Sequence, residues 1–171
     1  MNLSDPFKIL SPNERWAPTQ GQMDAFQNAY EKLLPPLVYK IRIAVAKWRD
    51  EGYQGASETS KSLLNFWFNQ EHLIGQTKFS FFFSQREAIE SIIYLYEIAK
   101  ARDKYELVRF DSSQRVSTGM FEETWTRYVI KMATGAGKTK VMGLTLVWSY
   151  FHKLYEAGST LSKDFLVIAP N

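Results

Sequence analysis

The sequence predicts an α/β fold, with one parallel β–α–β unit preceded by a mainly helical N-terminal region. Three observations carry that expectation. Two short apolar runs of strand type, Tyr128-Val129-Ile130-Lys131-Met132 and Phe165-Leu166-Val167-Ile168-Ala169, flank a longer stretch. That stretch, Lys138 to about Glu156, places Val141, Leu144, Val147, Trp148, Phe151 and Leu154 at helical spacing, and Gly158 ends it. A glycine-containing loop, Ala133 to Gly137, joins the first run to the helix. Strand, loop, helix, strand in that order calls for parallel strands buried on both faces.

The elements before this unit read as helices. Residues 1 to about 22 are polar and carry Pro6, Pro12, Pro18 and Gly21, an irregular entry segment. A helical pattern runs from Asp24 to Leu34 and stops at Pro35-Pro36. A second runs from Leu37 to Asp50, with Val38, Ile41, Val45 and Trp48 on one face and Gly52 near its end. Ser57 to Asn69 forms a third, apolar at Leu63, Leu64, Trp67 and Phe68. Ser84 with Glu87 reads as a capping box opening a helix from Gln85 to about Ala101. Tyr105 to Phe110 has strand character, and Asp111 to Gln114 reads as a turn.

Bulk composition narrows the class. The 171 residues are 45% hydrophobic and 23% charged, enough for a core in one domain or one domain with an extension. The net charge of +3 permits nucleic-acid binding without demanding it, because the basic residues are spread along the chain. Lys40, Arg42, Lys47 and Arg49 gather locally and read as the solvated face of a helix. Aromatics reach 15%, and runs such as Phe66-Trp67-Phe68 and Phe81-Phe82-Phe83 read as packing. There is no cysteine, which excludes disulfide and thiolate chemistry. No apolar stretch approaches the roughly 20 residues that cross a bilayer, and Met1 to Pro12 lacks the order of a signal peptide, so a cytoplasmic location is expected. His72 and His152 show no metal-ligand spacing.

The loop carries the chemistry. Thr134-Gly135-Ala136-Gly137-Lys138-Thr139 is a P-loop. Phosphates need several N–H donors at close range, and Gly135 and Gly137 let the backbone turn and approach without a Cβ in the way. The helix beginning at Lys138 adds its positive dipole end. Lys138 can reach the β- and γ-phosphates of a nucleoside triphosphate, and the Thr139 hydroxyl can ligate Mg²⁺. The strict pattern has Gly five residues before Gly137, where this chain has Met132.

Lys131 to Thr139 resembles motif I of superfamily 2 helicases, most closely the restriction-enzyme branch: the ATP-dependent subunit of type III restriction enzymes and their DEAD/DEAH-box relatives. Phe83-Ser84-Gln85-Arg86-Glu87-Ala88-Ile89 is similar to the upstream Q-type motif, and Leu166-Val167-Ile168-Ala169-Pro170-Asn171 to motif Ia. The resemblance covers roughly residues 80 to 171, and more weakly the segment Trp48 to Phe68. It implies a RecA-like ATPase lobe over 76–171, here incomplete, with 1–75 as a helical extension. It implies ATP and Mg²⁺ as cofactors, duplex DNA as partner, and a specificity or modification subunit. By position, Gln85 would read the adenine edge, Phe81 or Phe83 would stack on the base, and Pro170 and Asn171 would lie near the nucleic-acid backbone. An ordinary solvent-facing first-turn role is the alternative for Gln85, and a plain turn for Pro170 and Asn171.

A RecA-like lobe needs at least five parallel strands, and a motor needs an acidic residue after a later strand and a second lobe. Two strands are clear before Asn171, and Asp164 precedes its strand, so the chain reads as an N-terminal fragment of a longer protein. Two other readings stay open: a different P-loop enzyme such as a small-molecule kinase, and a non-catalytic interaction module with a vestigial loop. About 130 residues before the loop, together with Gln85, count against a kinase.

Overall fold

The computed structural model describes residues 5–12, 37–111, 116–120 and 128–168. The helix expected over Asp24–Leu34, most of the turn at Asp111–Gln114, and the residues Ala169, Pro170 and Asn171 lie outside them.

Helix α1 spans Val38–Asp50. Its apolar stripe buries Val45 and Trp48, and Lys47 and Arg49 sit in the last turn, where cations suit the negative dipole end. It closes through left-handed Gly52 (φ 70°) and Tyr53 (φ 59°), whose N–H returns to the Trp48 carbonyl at 2.9 Å. Helix α2 spans Glu58–Asn69 and is capped by Ser57, whose hydroxyl accepts the Ser60 N–H at 3.1 Å. Its inner stripe is Ser60, Leu64 and Trp67.

A hairpin follows, β1 His72–Ile74 with β2 Thr77–Phe79, turning at Gly75 (φ 63°) with His72 opposite Phe79. Helix α3 spans Phe83–Ile93 and runs on as a π-helical turn over Tyr94–Ile98, in which the Ala99 N–H reaches back to Tyr94. The Ser84 capping box does not form. The helix begins two residues earlier, Gln85 itself accepts the Phe82 N–H, and Glu87 pairs with Arg42 at 3.2 Å.

Tyr105–Phe110 is not a strand. Asp103 accepts the N–H groups of Tyr105 (2.8 Å) and Glu106 (2.9 Å), which nucleates the short helix α4, Lys104–Val108. A short 3₁₀ turn covers Thr118–Met120. Helix α5 spans Lys138–Tyr155, as its periodicity predicts.

The parallel β–α–β unit is absent from the described residues. Both flanking runs are irregular, and the sheet present is the two-stranded antiparallel hairpin. Val129, Leu166 and Ile168 are each more than four-fifths exposed. A parallel strand exists only through its ladder partners and the layers covering its two faces. An apolar run signals the need for such partners without supplying them, and these runs form no ladder with a described strand, although Tyr128 donates to the Ala101 carbonyl at 3.0 Å. The antiparallel hairpin is joined by a short local turn and packs through His72 on Phe66 and through Phe79 on Phe81.

Two apolar clusters hold the helices: a smaller one joins Leu95, Ala99, Ala101 and Phe110 with Leu37 and Ile41 at the start of α1, and a larger one is central. In the larger cluster, Trp48 of α1 and Tyr53 after it meet Leu64 and Trp67 of α2, Ile89, Ile92 and Ile93 of α3, and Leu144 and Trp148 of α5. Helix α3 packs against α1, α2 and α5 and is the central element.

Candidate nucleotide site

The loop before α5 has the backbone the sequence asks for. Gly135 (φ 80°) and Gly137 (φ 81°, ψ 42°) are both left-handed, and Gly137 is the N-cap of α5. The Ala136 N–H closes a turn onto the Ala133 carbonyl at 3.2 Å. A Cβ built on Gly135 would stand in open space, so the loop backbone is uncovered there. Lys138, Thr139 and Lys140 are exposed, and no acidic residue occupies the first turn. The Lys138 ammonium donates to the Met132 carbonyl at 3.2 Å, folding back along the loop.

Gln85 is 5% exposed. Its Oε1 accepts the Phe82 N–H at 3.0 Å, and its Nε2 donates to the Ala136 carbonyl at 3.1 Å. The amide therefore brackets the start of α3 to the loop, and the solvent-facing alternative does not hold. One lone pair on Oε1 and one N–H on Nε2 remain beyond these two bonds. A Cβ on Gly137 would fall on the Gln85 amide nitrogen and within 3.3 Å of Cδ, so a side chain here would displace the Gln85 amide as well as bear the left-handed φ.

The two aromatic candidates separate. Phe83 is buried, with the Arg49 guanidinium 5.3 Å from its ring centre. Phe81 is half-buried in an edge-to-face cluster with Phe68 (5.5 Å) and Phe79 (4.9 Å), and Lys140 of α5 lies 5.1 Å over the Phe79 ring. The entry segment also reaches this corner. The Pro6 carbonyl accepts the Phe83 N–H at 2.9 Å, and Phe7 packs on Phe82 at 5.3 Å.

Beside the loop, a cavity of about 460 Å³ is lined by Ile92, Ile130, Met132, Val141 and Met142 together with Lys138. Its walls are apolar, so it suits packing rather than phosphate.

The basic group on α1 is not a uniformly solvated face. Lys47 stays in solvent, while Arg42 turns inward to Glu87 and Arg49 is almost fully buried against Glu90. Helical spacing locates a face but does not reveal a buried acid on a distant helix, and Glu90 sits 41 residues away. Among the described residues no His, Cys, Asp and Glu cluster could hold a metal. His152 is buried between Ser159 (2.7 Å from Nδ1) and Glu97 (3.2 Å from Nε2), a packing network at the far end of α5 from the loop. No described helix is long and apolar enough to cross a membrane.

The family model for the type III restriction enzyme, res subunit, matches residues 78–171. No curated protein and no solved structure matches the chain. The matched segment begins in β2 and contains α3, Gln85, the loop and α5, and on that match the chain belongs to the type III restriction enzyme res-subunit family.

Proposed function

We propose that Thr134–Thr139 binds ATP with Mg²⁺, as the nucleotide site of an ATP-dependent DNA helicase or translocase of restriction-enzyme type. The observation that carries this reading is the pair of left-handed glycines opening α5, with Lys138 and Thr139 exposed on the first turn and inside the family segment. The donor set fits a polyphosphate. The open space at Gly135 leaves backbone room for it, the N-terminal end of α5 favours an anion, and Lys138 supplies a positive charge. Thr139 would offer its hydroxyl to Mg²⁺, which when bound neutralises charge on the β- and γ-oxygens. Lys138 would exchange the Met132 carbonyl for phosphate oxygen. Gln85 would hold the loop through its bond to Ala136 and turn its remaining N–H and lone pair to the adenine edge.

Residues 76–171 would form part of a RecA-like lobe, with 1–75 as a helical extension. That boundary divides roles rather than packing, because the core runs across it from Trp48 and Leu64 to Ile89 and Trp148. In the family's setting, Pro170 and Asn171 would approach duplex DNA, and a specificity or modification subunit would direct it.

The test is Mg²⁺–ATP binding followed by titration, in the wild type and in Lys138→Ala. Binding that needs Mg²⁺ and is lost in Lys138→Ala supports the reading, and binding untouched by that substitution overturns it. In protein containing the whole motor, ATP hydrolysis should rise with duplex DNA, and hydrolysis indifferent to DNA would remove the translocase part.

A further inference from the structure

We propose that Glu90 and Arg49 are positioning residues for the nucleotide site, holding Gln85 against the loop from the opposite side of α3; this rests on the ATP reading above. Glu90 is fully buried and is the hub of a four-residue network. Arg49 Nε lies 3.0 and 2.9 Å from its two oxygens, with the Arg49 terminal nitrogen bonded as well. Arg86 Nε donates to Glu90 at 2.8 Å. Tyr53 donates to Glu90 at 2.6 Å and accepts from Arg86 at 2.8 Å.

The network is chemically closed. A lone buried carboxylate is very costly, and here two guanidinium groups and a phenol satisfy it. Tyr53 is held in a left-handed conformation that a non-glycine residue adopts only when its surroundings fix it, and its hydroxyl is pushed well above the usual phenol range by burial and by Glu90. Arg42 with Glu87 adds a second tie from α1 to α3 one turn away.

The geometry links this network to the loop. Glu90 and Gln85 stand five residues apart on α3, so they point about 140° apart around the helix. One grips α1 and the other grips the P-loop. A rotation of α3 by about 10° would move a side-chain tip at its ~5–6 Å outer radius by about 1 Å. That shift would break the 3.1 Å bond from Gln85 to Ala136. The directional ion pairs to α1 add to the apolar core in fixing this rotation.

The experiment is a double-substitution cycle on Mg²⁺–ATP affinity, with thermal melting recorded alongside. Glu90→Gln, which keeps shape and removes charge, should weaken ATP binding about five- to tenfold, and Gln85→Ala should weaken it comparably. The double variant should bind no more weakly than Gln85→Ala alone, because Glu90 acts through Gln85. Arg49→Lys, which keeps the charge and loses the fork, is the second variant should Glu90→Gln fail to fold, and it should show the same non-additivity. Losses that multiply in the double variant, or a lowered melting temperature with unchanged affinity, would reduce the network to plain stability and overturn the inference. If the wild type binds no ATP, the ATP reading falls and takes this inference with it. If the wild type binds and only the cycle is additive, this inference alone falls.

Discussion

The side-chain amide of Gln85 occupies the space that a Cβ on Gly137 would need, while donating to the carbonyl of Ala136 at 3.1 Å. Two segments 51 residues apart are thereby joined at Ala136, the residue before the one that caps α5. Gly137→Ala meets two penalties: a left-handed φ, costing about 1–2 kcal/mol for a side-chain-bearing residue, and displacement of Gln85. We expect a lower melting temperature and at least about tenfold weaker Mg²⁺–ATP binding, since small displacements at a preorganised site are amplified. Gly135→Ala separates the two effects, because its Cβ would meet open space and only the φ penalty applies. Equal losses in the two variants, measured by melting and by nucleotide titration, would rule out the Gln85 contact as the cause.

Gln85 also offers a way to separate bracing from base recognition. Gln85→Ala removes a buried hydrogen bond to the loop, so inorganic triphosphate should bind about three- to tenfold more weakly in this variant. A direct contact with adenine predicts something more: a lower ratio of ATP to GTP affinity. Titrating ATP, GTP and triphosphate against wild type and Gln85→Ala reads both. Triphosphate affinity unchanged in the variant would mean that the bond to Ala136 does not shape the cradle.

Much of this was legible in the sequence, and most of the failures concern partners distant along the chain. The helices Val38–Asp50, Glu58–Asn69 and Lys138–Tyr155 follow from apolar spacing, because a helix satisfies its own backbone. The glycine loop and the helix N-terminus at Lys138 were readable for the same local reason. The runs Tyr128–Met132 and Phe165–Ile168 took strand-like composition, but a strand is defined by a partner, and composition does not name one. Within Tyr105–Phe110, residues up to Val108 are helical because Asp103 caps them, a signal that was present in the sequence at the right position. The pairing of Arg49 with Glu90 was illegible: a charge on an amphipathic helix reads as solvated until the distant acid is placed. Gln85 carried the motif, but its burial against Gly137 was not foreseeable from spacing.

Trp148 of α5 is 2% exposed, and its indole N–H donates to the Ser60 hydroxyl of α2 at 2.8 Å. Its ring meets Tyr96 and His152 edge to face. Trp148→Ala should cost about 3–5 kcal/mol, and Trp148→Phe, which keeps most of the volume and loses the donor, should cost less. Urea unfolding followed by far-UV circular dichroism checks both. A loss below about 1 kcal/mol for the alanine variant would contradict a shared core spanning α2, α3 and α5.

Acid should weaken the junction between α2 and α5. Glu156 follows α5, and its carboxylate accepts the Thr59 N–H in the first turn of α2 at 2.9 Å. Those hydrogen bonds from Thr59 lower its pKa below the usual 4.5, with nearby His152 acting in the same direction. A carboxylate with a depressed folded pKa stabilises the fold at pH values above its unfolded pKa. That contribution is lost as pH falls from about 4.5 through the lower folded value. Glu156 lies near the surface, so the contribution is modest and screened by salt. Glu156→Gln removes the titrating group while keeping an acceptor for the Thr59 N–H. In melting curves between pH 6 and pH 3, the wild type should lose more stability than Glu156→Gln, the gap between them closing towards the acid end and shrinking at high salt. Parallel curves across the whole range would show that this carboxylate is not anchored to α2.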